Sequence, residues 1–299
     1  MNQDSMDRAY RIADELIKDR LQDRAPELAE KISDIEEADI LVVRGVHDHI
    51  HKVLGVAGTR FAMVDPRRIS VTALRPDQVM FVNCGAKFDE RGLNVLRSFV
   101  ESGGFLFTTD WALRDVLEAA FPGYVEYNGV STADTVVRVE IHQKDDPLLA
   151  MLIGPEDDPQ WWVEGSSYPI RILRPEKVDV IISSKELERH WGEAPVFVTF
   201  EVGKGRIYHM ISHFYLQRTE TRTARHKNRS AQYLAEKKVS PAMAAKYQRM
   251  GSDDLSLGEM ETAFTSRSMM AHVMHEKVEQ MRRMRDEEKF HEGGGPGTT

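Results

Sequence analysis

Short hydrophobic runs alternate with amphipathic stretches through the first half of the chain. Four of these runs are bounded by polar or turn-forming residues, as is expected of strands that are buried on both faces. They cover residues 40–43, 60–64, 79–83 and 105–107. The stretches between them repeat apolar residues at helical spacing, most clearly over residues 90–101, and the same spacing follows the last run from Leu113 to Leu117. Strands that alternate with helices in this way predict right-handed crossovers and a parallel sheet within an α/β fold.

The pattern changes after Phe121-Pro122-Gly123. Alternating or apolar runs predict further strands over residues 136–141, 178–183, 196–202 and 206–211. The sequence Gly203-Lys204-Gly205 separates the last two of these runs and predicts a hairpin. A short apolar run at 148–153 and a loop rich in Pro, Asp, Trp and Gly at 154–167 precede the last three strands.

Both ends of the chain have helical patterns. Residues 6–32 carry apolar side chains among many charges and predict one or two amphipathic helices, broken near Pro26. After His213 the chain becomes polar and helical to about Glu292. We therefore predict an N-terminal helical extension (1–37), an α/β domain (38–216), a C-terminal helical extension (217–292) and a disordered tail (293–299).

Composition limits the class of protein. Hydrophobic residues make up 41% of the 299 residues, which is enough for a substantial core. The chain has no run of about 18 apolar residues and no apolar signal segment, so we predict a cytoplasmic protein without membrane contact. The single cysteine, Cys84, excludes an intrachain disulfide and a cysteine-rich zinc site. A formal net charge of −8 argues against a generally nucleic-acid-binding surface.

The charge is unevenly distributed. Residues 218–249 contain nine Lys or Arg and two Glu, a local charge of about +7. This basic segment has three interpretations: it binds nucleic acid, it binds an acidic partner, or it pairs with the acidic groups of its own chain. Residues 255–284 add a methionine-rich apolar stripe at helical spacing, which suits a protein partner or a homo-oligomer contact but also packing on the parent domain.

Asp110 stands where the central strand ends and the next helix begins. In an open parallel sheet this position lies at the carboxyl edge of the strands, where ligands usually bind. The side chain of Asp110 can also cap the helix that follows. We predict an acid/base role for Asp110, and a ligand pocket that includes its neighbours Thr109 and Trp111.

Cys84 follows the strand at 79–83 and is expected at the same edge, next to the pocket residue Asn83. Two interpretations apply to Cys84: a small hydrophobic side chain within the core, or a relocated nucleophile with His213 as its base. His213 follows the final strand, so the topology brings it towards Asp110 as a second acid/base residue.

The segment His47-Asp48-His49-Ile50-His51 is rich in metal-binding side chains. If a helix begins near His47, then His47 and His51 share one face, as metal-binding pairs do, and Asp48 caps the helix. This spacing predicts a divalent-metal site at His47 and His51, which Asp110 and His213 can approach by topology. The alternative is a capped helix with exposed histidines. His47 and Asp48 are also placed in the predicted ligand pocket.

The segment Trp161 to Tyr168 lies within the long loop, and its paired tryptophans argue against disorder. One interpretation is a lid over the sheet edge, with Glu164 facing the pocket. The other is that both indoles fill the core or a subunit contact.

The chain resembles the class I glutamine amidotransferase-like superfamily in three features. These are the order of the elements, the Gly103-Gly104-Phe105-Leu106 entry to the central strand, and the closing residues 195–200 and 203–213. Within it, the trehalose-utilisation (ThuA-like) branch is the most similar. The resemblance covers roughly residues 38–215. It implies a three-layer, flavodoxin-like fold with a mostly parallel sheet, to which this chain adds helical extensions at both ends.

The chain departs from that family at the positions of the family's catalytic residues. Active members place a nucleophilic cysteine at the turn after the central strand, and a His-Pro-Glu motif after the final strand. Here the turn offers Thr109, Asp110 and Trp111, and the final strand is followed by His213-Phe214-Tyr215. A threonine hydroxyl does not replace a thiolate without a strong adjacent base, so glutaminase activity is not expected.

Three functions remain open from the sequence. The first is a non-catalytic amidotransferase-like domain that binds a small ligand or a protein partner within a larger assembly. The second is a hydrolase or carbohydrate-modifying enzyme of the ThuA-like type, with Asp110 and His213 in acid/base roles and a metal at His47 and His51. The third is a nucleic-acid-associated factor that uses the basic segment.

Overall fold

The computed structural model describes residues 3–24, 26–33, 39–142, 149, 160–215 and 223–293. An eight-stranded sheet forms the centre of the α/β fold, in the order β2-β1-β3-β4-β12-β11-β10-β7. Two two-stranded sheets accompany it, β5 with β9 and β6 with β8. The strands are β1 (Ile40–Val43), β2 (Ala62–Val64), β3 (Val79–Val82), β4 (Phe105–Thr109), β5 (Val125–Tyr127), β6 (Thr135–Arg138), β7 (Glu140–Ile141), β8 (Gln160–Val163), β9 (Ile170–Ile172), β10 (Val178–Ser183), β11 (Pro195–Val202) and β12 (Gly205–Met210).

The predicted parallel sheet is confirmed on one side of the molecule. Strands β2, β1, β3, β4 and β12 run parallel to one another, with Phe81 opposite Phe107 and Phe107 opposite Tyr208. The predicted hairpin is also confirmed, because β11 pairs antiparallel with β12. Strands β10 and β7 continue the sheet in antiparallel pairing. All residues of β1, β3 and β4 are buried, which explains why their sequences are continuously apolar or nearly so.

Helices flank the sheet and occupy both chain ends. Those of the N-terminal half match their predicted positions, including the break near Pro26, and the helix at 90–101 has the predicted bounds. A six-residue π-helix, Leu113–Glu118, follows β4. The α-helices are α1 (Gln3–Arg24), α2 (Pro26–Ser33), α3 (Ile50–Val56), α4 (Glu90–Glu101), α5 (Lys185–Trp191), α6 (Ser230–Glu236), α7 (Pro241–Arg249) and α8 (Leu257–Gly293). Within the described ranges, no helix is both long and apolar enough to cross a membrane.

The two helical ends of the chain pack against each other. Helix α8 lies along α1, and the methionine-rich stripe is buried there: Met260, Phe264, Met269 and Met270 are all at most 2% exposed. Arg267 of α8 pairs with the buried Asp14 of α1. The stripe therefore packs within its own chain, which is the second of its two interpretations. The four predicted segment boundaries stay predictions.

The basic segment also makes contacts within the chain, in the part of it that the structure describes (223–249). Arg225 lies 2.6 Å from Glu236 and 2.9 Å from Glu261. Lys246 lies 2.8 Å from Glu15 and 2.9 Å from an oxygen of Asp19. These pairs support the interpretation that the segment binds acidic groups of its own protein.

The prediction of a loop across residues 154–167 is wrong at 160–163, which form β8. Trp161 and Trp162 are only 5% and 8% exposed. Successive side chains of a strand point to opposite faces, and here the Trp161 indole donates to the Ser212 hydroxyl while the Trp162 ring packs against His226. Two adjacent tryptophans at the end of a polar run do not form the alternating or continuous apolar pattern that predicts a strand. Residues 150–159 lie outside the described residues, and of the predicted run at 148–153 only Leu149 is described. Of the predicted disordered tail at 293–299 only Gly293 is described, and it ends helix α8.

The buried imidazole of His209 makes stability depend on pH. His209 is fully buried in β12, where its Nδ1 lies 2.8 Å from the hydroxyl of Thr108. Burial lowers the pKa of His209 from 6.5 to about 3, against a smaller opposite effect of Thr108. Between these two pH values the unfolded chain binds a proton at His209 and the folded chain does not. Stability therefore falls as the pH falls, by about 2 kcal/mol at about pH 5 from this residue alone.

Urea unfolding at about pH 7 and about pH 5 tests this expectation. The variant His209→Gln, which does not titrate, should lose about 2 kcal/mol less stability between the two pH values than the wild type. His190 is exposed and provides the control, since His190→Gln should keep the wild-type pH dependence. Equal losses in His209→Gln and wild type would contradict the prediction.

Candidate functional site

Asp110 occupies the turn directly after β4 in a left-handed backbone conformation, with φ of +47°. Asp is one of the few residues other than Gly that adopt this conformation readily. The turn is fixed because the Asp110 N–H donates to Met210 at 2.9 Å and the Asp110 carbonyl accepts from Leu113 at 2.9 Å. The Asp110 side chain does not cap the following helix, as it was predicted to be able to do. Its Oδ1 instead accepts the backbone N–H of Tyr168 at 3.0 Å.

His213 follows β12 and reaches the same edge, as predicted. Its Nε2 lies 3.2 Å from Asp110 Oδ2, and its Nδ1 lies 3.6 Å from Glu164 Oε1. Burial lowers the pKa of His213, but the carboxylates of Glu164 and Asp110 outweigh burial and raise the pKa well above its ordinary value. The carboxyl groups of Glu164 and Asp110 therefore favour the protonated form of the His213 ring.

Cys84 completes the cluster from the end of β3. Its side chain is fully buried, and its Sγ lies 3.7 Å from Asp110 Oδ2. Its backbone N–H donates to the hydroxyl of Thr109 at 3.1 Å. Burial raises the pKa of the Cys84 thiol, and the neighbouring Asp110 carboxylate adds to this effect, while His213 opposes it. The three strand ends that the sequence placed at one edge are thus brought together.

Asp48 is fully buried and ties three segments of the chain together. It accepts hydrogen bonds from the N–H of His49 at 2.7 Å, the hydroxyl of Thr109 at 3.0 Å, and the N–H groups of Phe214 and Tyr215 at 3.1 and 3.2 Å. Its carboxylate oxygens are therefore used within the fold, at the base of the site.

Asn83 has a similar supporting role beside Asp48. Its side-chain amide donates to Val43 at 3.2 Å and its Oδ1 accepts from the N–H of Ile50 at 3.2 Å, so it joins the ends of β3 and β1 to the start of α3. Of the predicted pocket residues, Asn83, Asp48 and Thr109 form this buried support.

The prediction that His47 and His51 share one helical face is wrong. Helix α3 begins at Ile50, and His47 lies in the preceding turn. Asp48 does not cap the helix from its predicted position, because the cap residue is His49 and its side chain makes no capping bond. The exposed His47 packs edge-on against Trp111, with ring centroids 4.7 Å apart. Residues 44–49 therefore form a longer connection between β1 and α3 than the sequence pattern predicted.

Glu164 faces the cluster from the segment after β8. Its side chain is 20% exposed, and Glu164 Oε2 has no hydrogen-bond partner within the described part of the chain. Burial raises the pKa of Glu164 to about 7, which the cationic His213 opposes. A small pocket of about 20 Å³ lies beside Glu164 and His213, and it is also lined by Trp161, Ser212 and Thr262. Glu164 therefore lines a pocket, but none of the other predicted pocket residues lines it, and the prediction of a lid stays a prediction.

The segment 164–168 is positioned by backbone contacts that the sequence did not reveal. Ser166 has a φ of +69°, and its carbonyl accepts the indole N–H of Trp111 at 2.7 Å. The ring of Tyr168 stacks on Trp111 and on Tyr127. These contacts bring the N–H of Tyr168 to Asp110. The hydrogen bonds from Trp111 to Ser166 and from Tyr168 to Asp110 join residues 55 and 58 positions apart through a backbone atom, which leaves no pattern of residue types.

A larger cavity, of about 770 Å³, lies elsewhere in the fold, among α1, α2, α3 and α8. Its wall is mainly apolar and includes Ile17, Leu54 and Met270. The described residues around it include none of the predicted site residues. The residues predicted to carry chemistry therefore lie at the sheet edge and not around this cavity.

No protein-family model and no curated protein matches the chain. Several solved structures resemble it. A glutamine amidotransferase from Thermotoga maritima is 11% identical, with a TM-score of 0.42, over 82% of this chain and 100% of the other. A ThuA-like protein from Bacteroides uniformis is 11% identical, with a TM-score of 0.43, over 60% and 83%. An exo-β-1,4-mannosidase from an Opitutaceae bacterium is 14% identical, with a TM-score of 0.40, over 77% of this chain.

This chain spans only 38% of the length of the mannosidase. The neighbours include both kinds of protein that the sequence motifs resemble. Their TM-scores are all below 0.5, so no functional conclusion rests on them. A shared fold does not determine a function, which depends on the residues at the sheet edge.

Proposed function

We propose that this chain is an amidotransferase-like protein that binds a small ligand at the carboxyl edge of its sheet and does not hydrolyse glutamine. One observation carries the proposal: the strained turn after β4 holds Asp110, not a nucleophilic cysteine. Asp110 is 2% exposed, its Oδ1 is held by Tyr168, and its Oδ2 faces His213 and Cys84. At this turn a carboxylate thus stands where glutamine hydrolysis requires a thiolate.

Cys84 does not replace the missing nucleophile. Its sulfur is fully buried and remains a thiol, because burial and the Asp110 carboxylate both disfavour the thiolate.

The pocket at this edge supports a ligand of ionic size. A volume of about 20 Å³ accommodates roughly one water-sized group. Glu164 Oε2 has no hydrogen-bond partner among the described residues, which suits a charged or strongly hydrogen-bonding occupant. The predicted protein and nucleic-acid partners stay predictions. The apolar stripe of α8 and the paired basic groups make contacts within the chain, so neither carries the proposal.

Two measurements on the purified chain test the proposal. Ammonia release from glutamine should be no higher for the wild type than for Cys84→Ser. Thermal unfolding should be shifted upward by at least one of four probes, namely phosphate, acetate, glutamate or a divalent metal chloride, and less so in His213→Gln. Glutamine hydrolysis that Cys84→Ser abolishes would overturn the first part. The absence of any stabilising probe would overturn the second.

A second candidate function is acid/base catalysis of the ThuA-like kind, in which Asp110 and His213 act on an ester or glycoside. The 3.2 Å separation of these side chains favours it, as does the pKa of about 7 of the partly exposed Glu164. Turnover of nitrophenyl esters or glycosides that is lost in His213→Gln and retained in His190→Gln would favour catalysis over binding alone.

A further inference from the structure

Three potential metal ligands converge at the sheet edge. The Sγ of Cys84, a carboxylate oxygen of Asp110 and a ring nitrogen of His213 all lie within 4.8 Å of one another. The carboxylate Oδ2 is 3.2 Å from His213 Nε2 and 3.7 Å from Cys84 Sγ. Tetrahedral zinc, with bonds of about 2.0 to 2.3 Å, separates such ligand atoms by roughly 3.3 to 3.5 Å. The cluster therefore has the dimensions of a site for one ion.

The contact between His213 and Asp110 is not an ordinary hydrogen bond. Although His213 Nε2 is 3.2 Å from Asp110 Oδ2, the pair lacks hydrogen-bond geometry, and Nε2 has no hydrogen-bond partner within the described residues. A ring nitrogen and a carboxylate oxygen that lie side by side without bonding to each other are arranged as two ligands of a common ion are.

The surroundings orient two of the three ligands. The N–H of Tyr168 holds Asp110 Oδ1 at 3.0 Å, which leaves Oδ2 for the ion. Glu164 Oε1 lies 3.6 Å from His213 Nδ1, the ring nitrogen on the far side from Asp110. Metal-binding histidines usually place a carboxylate or carbonyl against the second nitrogen, which fixes the ring orientation and raises the basicity of the ligand.

We propose that Cys84, Asp110 and His213 bind a divalent transition-metal ion of the zinc class, with Glu164 as the residue that positions His213. Binding of the ion would displace the protons of Cys84 and His213. The resulting thiolate and imidazole, together with the Asp110 carboxylate, form a mixed donor set that suits Zn²⁺ or Co²⁺ and not the all-oxygen preference of Mg²⁺ or Ca²⁺. Three protein ligands leave the fourth tetrahedral position to water or to an external ligand. The assignment rests on the proposed function, because the ion is the small ligand of the same edge.

The proposed ligand set also differs from the metal site that the sequence predicted. His213 and Asp110 were expected near a metal held by His47 and His51, but the ligand atoms that converge in the described residues belong to Cys84, Asp110 and His213. Cys84 supplies the soft ligand in place of the histidine pair. The variants of these two sets of residues therefore distinguish the two sites.

The experiment uses the full chain, untagged and purified without chelator, with elemental analysis followed by titration of Zn²⁺ and Co²⁺ into the metal-free protein. One equivalent should bind, and Co²⁺ should give a thiolate-to-cobalt charge-transfer absorption that Cys84→Ser abolishes. Asp110→Asn and His213→Gln should weaken binding at least tenfold, and Glu164→Gln about tenfold. The control variants His47→Gln and His51→Gln should bind as the wild type does.

Circular dichroism establishes which variants are folded. Glu164→Gln changes a partly exposed side chain, so its tenfold weakening provides a test even if the buried variants fail to fold. Folded wild-type protein without saturable metal binding would overturn the proposal, as would metal binding that is lost in the His47 and His51 variants. If metal fails to bind while phosphate, acetate or glutamate stabilises the chain, the metal assignment fails and the proposed function stands.

Discussion

Replacement of Asp48 by alanine is expected to lower the free energy of unfolding by about 3–5 kcal/mol, because several buried donors would each lose a bond worth about 1–3 kcal/mol. The Asp48 carboxylate accepts hydrogen bonds from the N–H groups of His49, Phe214 and Tyr215 and from the hydroxyl of Thr109. Asp48 is fully buried, so these donors would lose their acceptor where little water can replace it. The substitution would also loosen the segment that carries His213, because Phe214 and Tyr215 follow it directly.

Urea unfolding followed by tryptophan fluorescence measures this effect. Asp48→Asn keeps one acceptor oxygen but turns a donor amide towards the remaining N–H groups, so its loss should also be substantial. The control is Asp179→Ala on an exposed position of β10, which should stay within about 0.5 kcal/mol of the wild type. A loss below about 1 kcal/mol in Asp48→Ala would mean that the four hydrogen bonds do not hold these segments together.

The parallel part of the sheet could be predicted from the sequence because burial leaves a direct pattern. Strands that are covered on both faces must be apolar along their length, and they are separated by helices with apolar residues at helical spacing. Once the strands were placed, topology alone brought Cys84, Asp110 and His213 to one edge. The convergence of these three side chains was therefore predictable, although their mutual geometry was not.

The supporting contacts of the site could not be predicted, because they use backbone atoms that are distant in sequence. The bond from Phe214 to Asp48 joins residues 166 positions apart, and that from Tyr168 to Asp110 joins residues 58 apart. Any residue type offers a backbone N–H, so no pattern marks the donor. The error in the start of α3 has the same origin, since Asp48 bonds across the fold instead of capping the helix beside it.

Replacement of Gly205 by alanine is expected to destabilise the fold by about 4 kcal/mol. The first residue of β12 lies against the end of α4 and the start of β4, and a Cβ at Gly205 would overlap the carbonyl oxygens of Val100 and Gly104. Both are backbone atoms within the core of the fold, so no side-chain rotation relieves the overlap. Gly205 therefore serves the predicted hairpin and also allows the close approach of two backbones.

Gly55→Ala in α3 makes the same chemical change in open space and provides the matched control. No atom lies within 4 Å of a Cβ at Gly55, and alanine restricts the unfolded chain and favours the helix, so this variant should gain about 0.5–1 kcal/mol. Urea unfolding of the two variants in parallel should therefore give effects of opposite sign. If Gly205→Ala proved as stable as the wild type, β12 could move away from α4. The sheet edge that carries His213 would then be less rigidly positioned than its hydrogen bonds indicate.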